Sequence, residues 1–293
     1  MLNPSTNPVL LAGEMRKLNM TITIDASQAA ALPKDCLSGT ARTNVIDRWI
    51  YVFTAASFIG IVLAGFVPDS LGKLAAIQAG HRPPFPLILH VHAVLMGSFL
   101  LLLLGQSILM ALGKRNWHMQ LGIAAVVLFP ALVIAAIVLV PTMYRQVWIA
   151  AQSAPPPIKQ SLQANLSLLE DILLIQLRVG VLFSILMWIA LRSRTRDTEL
   201  HKRLIFLASA LPIVAAFRRM EWLPNTLPHS ALTLDIYSLL ALSPMFIWDL
   251  TRNRGIHRAY LIFAALFIPM SAVLYSLWDT PWWHATARHI MGI

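Results

Sequence analysis

Seven stretches of almost uninterrupted apolar residues divide the chain, near residues 49–67, 86–112, 119–144, 172–191, 202–217, 230–248 and 259–277. As helices, such runs match a hydrocarbon layer of about 30 Å, and most of the polar segments between them are short. The pattern predicts an all-α polytopic membrane protein: a lone first helix and three helical hairpins, forming a transmembrane domain over residues 46–293. Residues 1–45 are polar and mixed, which predicts a flexible cytoplasmic leader and not a cleavable signal peptide. The first helix is expected to close at Gly65, Phe66 and Pro68. The segment from Arg145 to Asp171, with Pro155, Pro156 and Pro157 followed by LQANLSLLED, reads as a long surface loop with an amphipathic interfacial helix.

Composition sharpens the class. The chain is 57% hydrophobic and 12% charged, with a mean hydropathy of +0.67, outside the range of soluble domains. Its net charge of +10 is a topology signal and not a nucleic-acid footprint, because the cations are unevenly shared between the two sides. Fifteen Lys and Arg residues fall on the side of the N-terminus and seven on the other, with Arg178 left inside a helix. The positive-inside rule then places the N-terminus in the cytoplasm and the C-terminus across a bacterial inner membrane. Tryptophans fit the same map, with Trp49, Trp117, Trp188 and Trp248 at one interface and Trp148, Trp222, Trp278, Trp282 and Trp283 at the other. Cys36 is the only cysteine, so there is no intrachain disulfide and no CxxC chemistry.

Candidate chemistry centres on PFPLILHVHAVLMGSFLLLLLGQSILMALGKRNWHMQLG, residues 84–122. His90 and His92 lie about 200° apart on a helix, so only one of them faces a given site. His92, Met96, Phe99 and Gln106 share a stripe, taken here as the inward face. The turns that open the third, fifth and seventh helices align as a repeat, each with a histidine: His118, His201 and His257. These three read as structural groups at the cytoplasmic interface. The first helix of each hairpin carries an ionisable residue in its outer half, His92, Arg178 and Asp235, of which Arg178 and Asp235 form a natural pair.

Six of the nine histidines fall on the outer side. His229, at the start of the sixth helix, is the partner chosen for His92. Two imidazoles from different helices at one depth suit a bis-histidyl haem b, with Arg178, Arg218 and Arg219 available to its propionates. That predicts a redox protein exchanging electrons with a quinone or with other membrane redox subunits in the bilayer. A non-redox reading competes, either a small transporter or an accessory subunit of a larger complex, because ionisable residues stand within helices and no catalytic motif is visible. A third reading is membrane hydrolase chemistry, with His92, His229 and Asp235 as ligands of a metal-bound water. No HExxH, GxSxG, phosphate-binding glycine loop or nucleic-acid module is present.

AGFVPDSL, LHVHAVLMGSFLLLLLGQSILMALGKRNWHMQLG, TELHKRLIFLASALPIVAAFRR and IWDLTRNRGIHRA occur in that order across residues 49–293. The chain thereby resembles a family of uncharacterised seven-helix bacterial membrane proteins with HxH, Gln, HxxLG, HKRL and WDL elements. Members of that family usually have Trp at the position of Phe99 and Arg at that of Met119. The family has no established activity, so the resemblance implies the fold and not a chemistry. Histidines at the ends of antiparallel helices give a weaker similarity to b-type membrane cytochromes, by analogy alone.

Overall fold

A computed structural model of the chain describes residues 44–293, so the predicted leader and Cys36 lie outside the described residues. The described residues form helices and no strands. In chain order these are α1 (Val45–Gln78), α2 (Leu87–Ala111), α3 (Arg115–Leu121), α4 (Ile123–Ser153), α5 (Pro156–Ser193) and α6 (Thr198–Ala210). A 3₁₀ turn over Leu211–Ile213 leads to α7 (Val214–Phe217), followed by α8 (Leu232–Asn253), α9 (Arg258–Leu277) and α10 (Pro281–Ile290). Successive long helices run in opposite directions. The bundle therefore has a near end, where α1 begins, and a far end, where α1 finishes.

Six segments are long and apolar enough to cross a membrane: Val45–Gln78, Leu87–Ala111, Arg115–Ser153, Pro156–Ser193, Thr198–Phe217 and Arg258–Leu277. The seventh expected segment forms α8, whose 22 residues reach about 33 Å. Its lower apolarity follows from Asp235, Asp249 and Arg252, all of which are engaged in ion pairs with other helices.

α6 sits at the centre. It packs on α5, α8 and α9, and its Phe206 ring meets Tyr51 and Phe58 of α1. Ala208, Ser209, Ala210 and Ala216 are fully buried, and such small side chains let helices approach closely. The tightest approach is at Gly65 of α1, where a Cβ would stand 2.3 Å from the Ala216 carbonyl oxygen. Large apolar side chains such as Val94, Leu101, Val127, Ile137, Leu261 and Ile268 face outward, as a lipid-facing surface requires.

Two expectations need correction. α1 does not stop at Pro68 but runs ten residues further to Gln78. The extension is polar and is held by the Lys73–Asp69 pair at 2.6 Å and by Arg219 on the same carboxylate. The segment 145–171 is not a long loop or an interfacial helix. α4 continues to Ser153, only Ala154 and Pro155 break the chain, and LQANLSLLED is part of the 38-residue α5. Ala154 adopts the extended conformation that a following proline favours, while Pro156 occupies the first turn of α5, where its missing N–H costs nothing. Trp278 and Trp283 are buried within the protein, where their indole N–H groups donate to the carbonyls of Pro228 and Glu170.

Candidate functional site

At the near end the HKRL and WDL elements form one lock. Asp197 caps α6 by accepting from the Leu200 N–H at 3.0 Å. Arg203, fully buried one turn on, donates from Nε and Nη2 to the Asp249 carboxylate at 2.6 and 2.8 Å and from Nη1 to Glu199 at 2.9 Å. The Tyr260 hydroxyl donates to Asp249 at 2.8 Å. Beside it, Asp47 of α1 accepts from the Trp248 indole at 2.8 Å and from Arg252 at 2.9 Å. These bidentate pairs tie α1, α6, α8 and α9 together.

The lock fixes the histidine next to Arg203. His201 places Nδ1 2.8 Å from the Ala190 carbonyl, which assigns the proton to Nδ1 and leaves Nε2 with its lone pair. His118 of α3 stands within electrostatic reach of His201. The Gln106 backbone lies against the His118 ring, and the Gln106 side chain closes on the α3–α4 junction at Gly122. His118 Nδ1 and both side-chain polar atoms of Gln106 are buried without a partner. Buried polar atoms without a partner are rare in proteins. Arg115 and Arg194 lie close enough to act on these two rings. The sequence named Gln106, His118 and His201 separately; Gln106 and His118 lie against one another, and His201 is within electrostatic reach of His118.

His92 and His229 lie on parts of the chain that share α1 as a neighbour. His92 is half-buried on α2, with Nδ1 buried and unpartnered, and α2 packs on α1, α3 and α4. His229 is exposed in the α7–α8 connection, and α8 packs on α1, α6 and α7. His90 is exposed against the Phe85 edge. The predicted stripe is otherwise sound, with Phe99 buried between α2 and α5 against Phe183.

Midway along the bundle, Arg178 of α5 forms the expected pair with Asp235 of α8. Nη1 donates to Asp235 at 2.7 Å and to the Ser271 hydroxyl at 2.7 Å, and Nη2 closes the bidentate contact. Tyr275 donates to the same carboxylate at 2.6 Å, and the guanidinium lies 4.8 Å from the Phe267 ring centre. A cavity of ≈ 10 Å³, about the room of one water, adjoins Arg178 and Asp235, while Arg178 Nε is buried without a partner.

The far end holds a centre that the sequence reading missed. Glu170, fully buried, accepts from Tyr144 at 2.7 Å and Arg288 at 2.8 Å and faces His284 Nδ1 at 2.8 Å. The Glu170 contact raises the Arg288 pKa further, as expected for a guanidinium on a carboxylate. Asp171 accepts from the Asp279 N–H at 2.9 Å, and Asp171, Asp279 and His284 converge closely enough to bind a cation. The available signal was the amphipathic PWWHATARHI, which forms α10 and docks on α5. Arg219 is engaged with Asp69 at 3.2 Å, and Arg218 lies half-buried beside it.

No protein-family model, curated protein or solved structure matches the chain. Fold and sites together define an all-helical protein of membrane-spanning character with three buried charge networks and one unsatisfied histidine–glutamine site.

Proposed function

We propose that this is an inner-membrane redox protein that binds haem b at its near end, between His118 and His201, and passes electrons to a quinone or a neighbouring redox subunit. The observation that carries the reading is the near-end site itself. Two imidazoles come from different helices: one has Nδ1 anchored to a backbone carbonyl, the other has a buried nitrogen without a partner. A metal-ligating histidine characteristically gives its second nitrogen to a carbonyl, which fixes the tautomer and aims the lone pair. His201 already has that arrangement through Ala190. Arg115 and Arg194 supply cations for the propionates, whereas Arg178 and Arg219 are committed to Asp235 and Asp69. Haem supplies the one-electron couple. His118 and His201 would hold the group, with the Gln106 amide as a hydrogen-bonding neighbour.

In this reading the near end is cytoplasmic, because the Lys and Arg surplus lies there. α8 crosses as a seventh helix with Asp235 and Asp249 neutralised by Arg178 and Arg203. The test is the spectrum of purified protein: dithionite reduction brings up sharp α and β bands in wild type, and His118→Ala and His201→Ala remove them.

One observation favours a second reading, a small-solute carrier. Arg178 Nε is orphaned beside the cavity at the Arg178–Asp235 pair, the arrangement expected where an anion replaces Asp235 once that carboxylate is protonated. Proton-dependent uptake of a small anion into liposomes, lost in Asp235→Asn, together with a colourless protein, would establish the carrier in place of the haem protein.

A further inference from the structure

The far end of α1 carries more positive charge than its surroundings neutralise. Asp69 accepts from Lys73 at 2.6 Å and from Arg219 at 3.2 Å. Arg219 also donates to the Ala215 carbonyl at 2.6 Å and lies 4.1 Å from the Phe66 ring centre, so its position is fixed. Arg218 is half-buried, and among the described residues its side chain makes no hydrogen bond, its backbone N–H going to the Val214 carbonyl. Burial and the adjacent Arg219 bring its pKa down to about 10, which still leaves it charged at neutral pH. Three cations therefore share one carboxylate, with Arg82 close by. A partly dehydrated surplus of positive charge calls for an anion.

An apolar groove of ≈ 350 Å³ opens beside this cluster, between α1 and α8. Gly60, Ala64, Phe217, Trp222, Leu240 and Ala241 line it. Ile61 of the groove, Gly65 against Ala216 and Asp69 under Arg219 succeed one another at four-residue spacing on one stripe of α1. Trough and cations are thus two levels of one surface, with Phe217 ending the trough and Arg218 starting the cluster. Trp222 stands at the rim, 73% exposed. Gly60 keeps the floor open, with nothing within 4 Å of where its Cβ would be.

We propose that this surface holds one phospholipid, its acyl chain along Gly60, Ala64 and Ala241 and its phosphate on Lys73, Arg218 and Arg219. The occupant follows from charge complementarity. An uncharged apolar ligand leaves the cations unanswered, and a free anion leaves the groove unfilled. Guanidinium groups donate in a fork that matches phosphate oxygens; Arg218 offers such a fork, and Arg219 adds Nη2, left over from its bonds to Asp69 and Ala215, beside the Lys73 ammonium. The site stands apart from the near-end histidines and holds whether or not haem binds there.

The experiment is native mass spectrometry of the full chain, delipidated in detergent and offered phosphatidylglycerol, diacylglycerol with the same chains, or inorganic phosphate. The expected result is retention of one phosphatidylglycerol, no retention of diacylglycerol, and no thermal stabilisation by inorganic phosphate. Arg218→Gln lowers lipid occupancy on the order of tenfold, the scale of one charge-assisted contact. Ala241→Phe, which fills the trough, lowers it as well. Should that variant not fold, phosphatidylglycerol with brominated chains quenches wild-type tryptophan fluorescence more than that of Trp222→Phe. Equal retention of diacylglycerol, unchanged occupancy in Arg218→Gln, or stabilisation by phosphate alone equal to that by lipid would overturn the proposal.

Discussion

Arg178 shows how a single buried charge is made tolerable. Its guanidinium meets the Asp235 carboxylate, the Ser271 hydroxyl and the Phe267 ring, and Tyr275 satisfies Asp235 from the other side. Arg178→Gln strands Asp235 in an apolar interior and is expected to lower stability by about 3–5 kcal/mol. Adding Asp235→Asn should restore part of that loss, because the double variant buries no net charge. Thermal unfolding in detergent reads both, and strictly additive losses would show that the two residues act independently. Gly65 gives a cleaner steric test. Gly65→Ala pushes a methyl into the Ala216 carbonyl, while Gly60→Ala meets open space. The first should shift the melting temperature down by several degrees, and the second should leave it nearly unchanged. At this scale the sequence was informative about Arg178 and Asp235, since two opposite charges inside apolar runs have few other partners. It was silent on Glu170 and Arg288, whose pairing depends on where α10 folds back.

At the scale of elements, apolar run length foretold where helices lie better than where they end. Three consecutive prolines suggested a loop, yet Pro155 precedes α5 and Pro156 and Pro157 sit in its first turn, so the helix starts there. Hydrogen exchange over residues 158–171 should therefore show helical protection. Exchange as fast as in a free loop would contradict α5 as drawn. α10 escaped notice because ten residues are too few to span a bilayer, and its function is to cover Glu170. Arg288→Gln should loosen α10 and raise protease sensitivity after Leu277 without removing any near-end property. Periodicity selected the correct inward face of α2, as buried Phe99 shows. What periodicity on one helix cannot give is the identity of the helix opposite: α2 packs on α1, α3 and α4, and no pattern within α2 names them.

For the whole molecule, the uneven distribution of cations and the locks that close the near end share residues. Arg203 and Arg252 count towards the positive side and also bind Asp249 and Asp47. In a Cys36→Ser background, Asn116→Cys is expected to react with an impermeant maleimide only after the membrane is opened, and Gln78→Cys before it. The reverse pattern would invert the topology. The near-end site was partly legible, because Gln106, His118 and His201 each stood out in the sequence. Their convergence was not, since it requires α6 to sit at the centre of the bundle with its first turn pinned by Asp249 through Arg203. The account turns on whether those two imidazoles share an iron. The absorption spectrum of the detergent-purified chain, oxidised and dithionite-reduced, decides it. A Soret band with sharp reduced α and β bands, kept in His92→Ala and His229→Ala but lost in His118→Ala and in His201→Ala, is the predicted result. A colourless wild type, or bands lost in His92→Ala and retained in the other two, would contradict it.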